Sequence, residues 1–296
     1  MNEYRTLVDP TFDMVFKYIF GRDASIPLLI KFLNSLCLRF RNNPIISLEL
    51  KDPANLKRFA DDKLSFVDVK AKTSSGAWVN VELQSKNQQD FVSRSIYYND
   101  LLYTSQIGDS EKYSTLKEAI SFNILDFELF PSSSEILNGF VFKNILTNEI
   151  LEPIKKEIYF LELVKNSSSL QEAKEWKSFF TDHNSLNLEK LAKTNEAIGL
   201  ALKSLKEFSM NPKMRALYEK EQKKRRDLNG VMDFMKEEGR AEGRVEGKVE
   251  GMAQGRVEGK AQGILDSAQR MLNSGMSHEQ VSKILSISLE DLKKLN

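Results

Sequence analysis

At 296 residues, with 43 Lys and Arg against 42 Asp and Glu, the chain carries a formal net charge of +1, so no global field draws polyanions and any nucleic-acid contact rests on local patches. A single cysteine, Cys37, excludes an intramolecular disulfide or a cysteine zinc cluster, and two histidines, His183 and His278, supply little for a Ser-His-Asp relay or a multi-histidine metal site. The polar start Met1-Asn2-Glu3-Tyr4-Arg5 lacks an apolar signal region and no window approaches about 18 consecutive apolar residues, which reads as a soluble, cytoplasmic protein with no membrane partner, in a reducing compartment.

From residue 9 to 37, apolar residues recur at helical spacing: Phe12, Val15, Phe16, Ile19 and Phe20, then Ile26, Leu29, Ile30, Leu33 and Leu36. Two helices broken near Gly21 are expected, with Asp9 as N-cap of the first and Pro10 at its opening position. Strands are expected over 45–50, 64–72 and 77–84, and a helix over 90–103 on Phe91, Ile96, Tyr97, Leu101 and Leu102. Two further strands follow at 119–127, "AISFNILDF", and 157–163, "EIYFLEL". The first is almost wholly apolar, as a strand covered on both faces should be. This order gives an α/β fold, a mixed sheet with helices packed on it. Beyond about residue 167 strand propensity disappears and the pattern is helical throughout.

Residues 239–263, "GRAEGRVEGKVEGMAQGRVEGKAQG", repeat with a period of four, and the glycines from Gly239 to Gly263 are half of the chain's 14. Each interior glycine weakens a helix by about 1 kcal/mol relative to alanine. A period of four exceeds 3.6, so a glycine stripe drifts by about 40° per repeat in the sense opposite to a heptad's. The stretch reads either as a helix able to approach a second copy closely with a right-handed twist, or as a flexible charged linker. After it, Gly275 is a helix stop, and Ser277 with Gln280 and Ser288 with Asp291 are cap signatures of short helices. Their outline hints at a helix-turn-helix, but Glu290 and Asp291 carry the wrong charge for a DNA groove, and packing or oligomer contact is the expectation. The basic run Lys223 to Arg226 has enough charge to touch a DNA backbone, although such runs are by default solvated helix ends. No nucleophile elbow, P-loop or dinucleotide fingerprint occurs.

The stretch 66–86, "FVDVKAKTSSGAWVNVELQSK", reads as a hairpin. Side chains alternate across a strand, so Phe66, Asp68, Lys70 and Lys72 share one face, as do Trp78, Asn80, Glu82 and Gln84; the other face is aliphatic. Ser74, Ser75 and Gly76 match a three-residue loop whose last position needs a left-handed glycine. Pairing Thr73 with Ala77 then sets Lys72 opposite Trp78, Lys70 opposite Asn80 and Asp68 opposite Glu82. Facing carboxylates are destabilising on their own. They persist where a cation neutralises them or one stays protonated, and a divalent ion such as Mg²⁺ is commonly held by one or two carboxylates.

The spacing of Asp68, Glu82, Leu83 and Gln84 resembles the active-site motif of the PD-(D/E)XK nuclease superfamily. More closely, "DPTFDMVFKYIFG", "FVDVKAKTSSGAWVNVELQ", "RSIYYNDLLY" and "KYSTLKEAISFNILDFELF", in that order, resemble the recombination-promoting nuclease and transposase (Rpn) family over about residues 6 to 165. The resemblance implies a restriction-endonuclease-like core with an all-helical C-terminal extension. It implies a Mg²⁺-dependent endonuclease, with Mn²⁺ as a substitute, that hydrolyses DNA phosphodiesters in recombination or mobile-element activity. Asp68, Glu82 and the Leu83 carbonyl would be its metal ligands. Gln84 stands where the superfamily has lysine and would be the third catalytic residue; it can position water but brings no charge. Lys70 is the candidate for the missing cation. Asp13 and Lys17 match the family's N-terminal segment, where they reach the site or simply pair with each other; Arg94 and Tyr98 are auxiliary candidates. Gln84 also keeps open a catalytically silent DNA-binding or assembly role. The expected organisation is a nuclease-like core over 1–165, a helical extension over 166–238, the glycine repeat over 239–263 and a small helical element over 264–296, working on DNA as a homodimer.

Overall fold

The first helix, α1 (Asp13–Phe20), forms because Val15, Phe16, Ile19 and Phe20 fall on one face, and all four are buried. The N-cap expected of Asp9 does not form. Asp9 Oδ1 instead accepts from the Thr11 amide at 2.8 Å and its hydroxyl at 2.7 Å, a local turn that competes with capping, and α1 starts after Phe12, which makes no side-chain cap bond. Beyond Gly21, α2 (Ile26–Leu36) buries Leu29, Phe32, Leu33 and Leu36. The computed structural model describes residues 6–37, 40, 44–51, 69–85, 90–108 and 110–293. It divides into two units, Met1–Lys220 and Glu221–Asn296.

The first unit is built on a six-stranded mixed sheet of order β1-β2-β3-β4-β6-β5. Its strands are β1 (Leu48–Lys51), β2 (Val69–Thr73), β3 (Trp78–Gln84), β4 (Ala119–Leu125), β5 (Leu137–Phe140) and β6 (Lys156–Glu162). The first three pair antiparallel, β3, β4 and β6 run parallel, and β5 pairs antiparallel to β6. Parallel neighbours need a crossover, and between β3 and β4 it is α3 (Phe91–Thr104). The aliphatic face of the sheet, with Val79, Val81, Ile120 and Phe122, packs on α1, α2, α4 (Gln171–Thr181) and α6 (Glu196–Met210) in one core. Within it Trp176 meets Phe32 edge-on at 4.7 Å and donates from Nε1 to Ser35 Oγ at 2.9 Å. Helix α5 (Leu186–Thr194) carries the Ser185 cap, whose hydroxyl accepts from the Leu188 amide.

Strand β5 has no counterpart in the sequence reading. Its four residues, "LNGF", are half-exposed and lack alternation, and a Cβ at Gly139 would stand 2.9 Å from Tyr159 Cε1. Glycine there permits a close approach to the neighbouring strand while erasing the pattern that marks a strand. The expected strand over 64–72 is seen from Val69 onward; its earlier residues, Asp68 among them, lie outside the described residues.

Helix α7 runs from Pro212 to Asn273 and includes the whole glycine repeat, so that stretch is helical. In the second unit it is followed by α8 (His278–Leu285) and α9 (Leu289–Lys293). Ser277 and Gln280 make the expected capping box, and Ser288 Oγ accepts from the Asp291 amide at 3.1 Å. A small core of Ala268, Val281 and Leu292 ties these helices to the end of α7. Among the described residues no helix is long and apolar enough to cross a membrane.

Candidate active site

The hairpin that presents the site is set by its turn. Gly76 has φ +95°, the Thr73 amide donates to the Ala77 carbonyl at 2.8 Å, and Thr73 Oγ1 accepts from the Ala77 amide at 3.0 Å. A side chain at Gly76 would be strained by that φ and would meet Lys117 Cγ at 3.0 Å. The register is the one the loop length requires: Lys72 opposite Trp78, Lys70 opposite Asn80, Val69 opposite Val81. Asp68, expected opposite Glu82, lies outside the described residues.

On β3, Glu82 is buried, only 3 % exposed, as is Asn80 at 2 %, and on β2 Lys70 is buried at 4 %. Lys70 lies diagonally across from Glu82, a separation that long side chains span, and its ammonium stands 4.8 Å from the centroid of the Trp78 ring. On the other side of β3, Asn80 pairs with Ser121, Glu82 with Asn123 and Gln84 with Leu125. Ser121 and Asn123 are buried as well. Asn123 Nδ2 donates to the Tyr159 carbonyl at 3.1 Å, which fixes the side chain beside Glu82.

Helix α3 roofs this polar strip. Phe91 anchors one end against Leu125 and Phe160, and Leu102 anchors the other against Ala119. Between them Ser95 and Asn99 face the sheet, both buried. Asn99 Nδ2 donates to the Ala119 carbonyl at 3.2 Å, Ser121 Oγ at 3.0 Å and the Glu157 carbonyl at 3.2 Å. A buried amide is stable only where its hydrogens are bonded, so these contacts fix how α3 lies over the strands. Arg94, one turn into α3, has its guanidinium carbon 5.1 Å from the Phe91 ring centroid. The sequence reading missed Ser95, Asn99, Ser121 and Asn123. Ser121 and Asn123 do leave a trace, two polar residues two apart in an otherwise apolar strand; Asn99 leaves none, since its partners lie on two other strands, β4 and β6, distant in the chain.

The other expected residues divide by face and position. Leu83 turns its side chain to the aliphatic core, half-buried. Gln84 is half-buried at the strand end, where its carbonyl accepts from the Asp126 amide at 3.0 Å. Tyr98 is half-buried and lies 5.8 Å from Tyr97, ring centroid to centroid. Asp13 and Lys17 pair with each other at 2.9 Å on the exposed face of α1.

Chemically, the strip offers hard oxygen donors. Asn80 Oδ1 is buried and has no hydrogen-bond partner among the described residues, on the same strand face as the Glu82 carboxylate. Carboxylate and amide oxygens suit Mg²⁺, which needs few protein ligands and keeps waters, so the residues present fit that ion. Among the described residues no group of three or more His, Cys, Asp or Glu is placed to hold a metal, so a histidine- or cysteine-rich centre is not what this strip provides. A second buried carboxylate, Glu162, accepts from the Leu129 and Phe130 amides, Asn138 Nδ2 and Lys165 Nζ. Its oxygens are engaged, and its role is to hold the turn after β4.

A mixed sheet with a buried carboxylate on its central hairpin, roofed by the crossover helix, is the architecture of the PD-(D/E)XK nuclease fold. The family model described as PD-(D/E)XK nuclease family transposase matches residues 10–234, and the chain belongs to that family. No curated protein and no solved structure matches it.

Proposed function

We propose that this protein is a Mg²⁺-dependent DNA endonuclease that hydrolyses phosphodiester bonds in the service of a mobile or recombining element, with Mn²⁺ able to substitute. The observation that carries the reading is Glu82: a carboxylate buried on the polar face of the hairpin, with Lys70 diagonally across from it, opposite Asn80, in a chain of this family. Asp68 and Glu82 would hold the ion with the Leu83 carbonyl. When bound, such an ion supplies positive charge to phosphate oxygens and makes a water more acidic.

The chain's own groups have separable tasks. Gln84, at the open end of β3, orients the attacking water through its amide. Lys70 supplies a cation that the glutamine lacks and offsets charge developing on the phosphate. Arg94 contacts the DNA phosphate, and Tyr98 lines the approach. Asp13 and Lys17, already paired on α1, assist from the rim. Two copies provide the two sites that a duplex cut needs.

The test is conversion of supercoiled plasmid to nicked or linear form with Mg²⁺ or Mn²⁺, using wild type, Asp68→Ala and Glu82→Ala, alongside Mn²⁺ binding followed by electron paramagnetic resonance. Cleavage and Mn²⁺ binding by wild type, with both lost in each variant, is the expected result. Cleavage equal in all three, or absent in all three while the protein still shifts DNA in a gel, leaves a DNA-binding assembly protein that keeps the nuclease fold.

A further inference from the structure

From Val231 to Gly263 every side chain of α7 is exposed, and apart from the helix's own neighbouring backbone nothing lies within 4 Å of the place a Cβ would take at any glycine of the repeat. The four-residue period lays down four stripes. One residue after a glycine stand Arg240, Arg244, Lys248, Arg256 and Lys260, with Met252 in the unit between; two after, alanine or valine; three after, Glu242, Glu246, Glu250 and Glu258, with Gln254 and Gln262 in the other two units. Residues four apart are neighbours on a helix. Arg240 therefore abuts Arg244, and Glu242 abuts Glu246, so like charges repel along each stripe. Opposite charges fall two apart, where they do not face one another, and no ion pair joins them within this stretch among the described residues. A helix with this many glycines and this self-repulsion gains little from its own side chains, one i,i+4 hydrogen bond from Gln254 Nε2 to Glu258 Oε1 at 2.8 Å, to hold it.

A second copy supplies what is missing. At 100° per residue the basic stripe lies about +100° and the acidic stripe about −60° from the glycines, with alanine and valine roughly opposite the glycines. Any contact face centred on the glycine or valine stripe is thus flanked by bases on one side and acids on the other. In a parallel two-fold pair the basic flank of each helix meets the acidic flank of its partner on both sides. Antiparallel pairing sets base against base and acid against acid. Where the basic position is neutral, Met252, the acidic position of the same unit is neutral too, Gln254; only the unit holding Lys260 and Gln262 is unbalanced.

We propose that residues 239–263 are a parallel self-pairing helix whose occupant is the same repeat of a second copy, specified by its charge stripes. This does not rest on the nuclease reading. It adds to that reading only that the N-terminal units of both copies leave the paired helix at the same end.

The full chain, 33.9 kDa, is measured by sedimentation velocity. One variant carries Arg240→Glu, Arg244→Glu and Lys248→Glu; another carries Glu242→Lys, Glu246→Lys and Glu250→Lys. Wild type is expected to be a dimer, each variant alone a monomer, and their equimolar mixture a dimer again, which a variant that merely misfolds cannot give. Separately, Ala241→Cys and Ala261→Cys chains are treated with a flexible thiol-reactive cross-linker long enough to reach round either helix face: each is expected to cross-link to its own kind. A monomeric wild type, dimers indifferent to both charge reversals, a mixture that stays monomeric, or cross-links formed only between positions 241 and 261 overturns the proposal.

Discussion

Asn99 Nδ2 donates to Ser121 Oγ at 3.0 Å, joining the crossover helix to the strand whose register places Asn123 beside Glu82. The same amide reaches the Ala119 and Glu157 carbonyls, so one side chain on α3 binds β4 and β6 together under the roof of the candidate site.

Asn99→Ala removes all three bonds and unties α3 from β4 and β6. The expected loss is about 1–3 kcal/mol of unfolding free energy, read from the urea midpoint at unchanged slope. An unshifted midpoint would mean that water replaces the amide.

Gln84 separates water positioning from metal holding. Gln84→Leu is expected to lower plasmid cleavage by about 10²-fold, the size of a lost positioning or charge-stabilising group, while leaving Mn²⁺ binding intact. Gln84→Lys, which restores the cation of the wider superfamily, is expected to keep activity at least at the wild-type level. Cleavage insensitive to both changes would remove Gln84 from the site.

The pair Lys165–Glu162, 2.8 Å apart with side chains 6 % and 0 % exposed, is a structural one. Lys165→Met leaves the Glu162 carboxylate buried without its counter-ion and is expected to destabilise the fold by about 3–5 kcal/mol. Thermal unfolding monitored by circular dichroism measures this. A double change, Lys165→Met with Glu162→Gln, should recover part of the loss, since the uncompensated charge is gone.

His183 gives a pH dependence of defined sign. Burial, the largest influence, pushes its imidazole pKa down, against the opposing pull of Asp9 and a backbone hydrogen bond at Phe180. The folded chain therefore keeps His183 neutral at a pH where the unfolded chain, titrating near 6.5, takes up a proton. More protons are bound in the unfolded state, so stability rises with pH there. The contribution is complete above the unfolded pKa and is lost as pH falls below it towards the folded pKa. His183→Gln is expected to flatten the stability profile just below the unfolded value of 6.5; an unchanged slope there would show that another group sets it.

What the sequence made legible is local. Ser74, Ser75 and Gly76 set the loop length, the loop length set the register of Lys70 and Asn80, and alternation put Glu82 on the polar face. Apolar periodicity marked α1, α2, α3 and the buried β4 for the same reason: each signal lies within one helix turn or one strand pleat. The exception at this scale was Asp9, whose short side chain found the Thr11 amide and hydroxyl before any helix start.

The strand order β1-β2-β3-β4-β6-β5, the half-exposed edge strand with its Gly139, and the polar roof were decided by tertiary structure. Their determinants are contacts between segments distant in the chain: Asn99 bonds residues 20 and 58 positions away, and Trp176 reaches Ser35 across 141. Periodicity reports which face of an element is apolar, because that depends on near neighbours. It carries no record of which buried polar atoms will meet, since that is fixed only when the layers close and every donor must find an acceptor or remain unbonded.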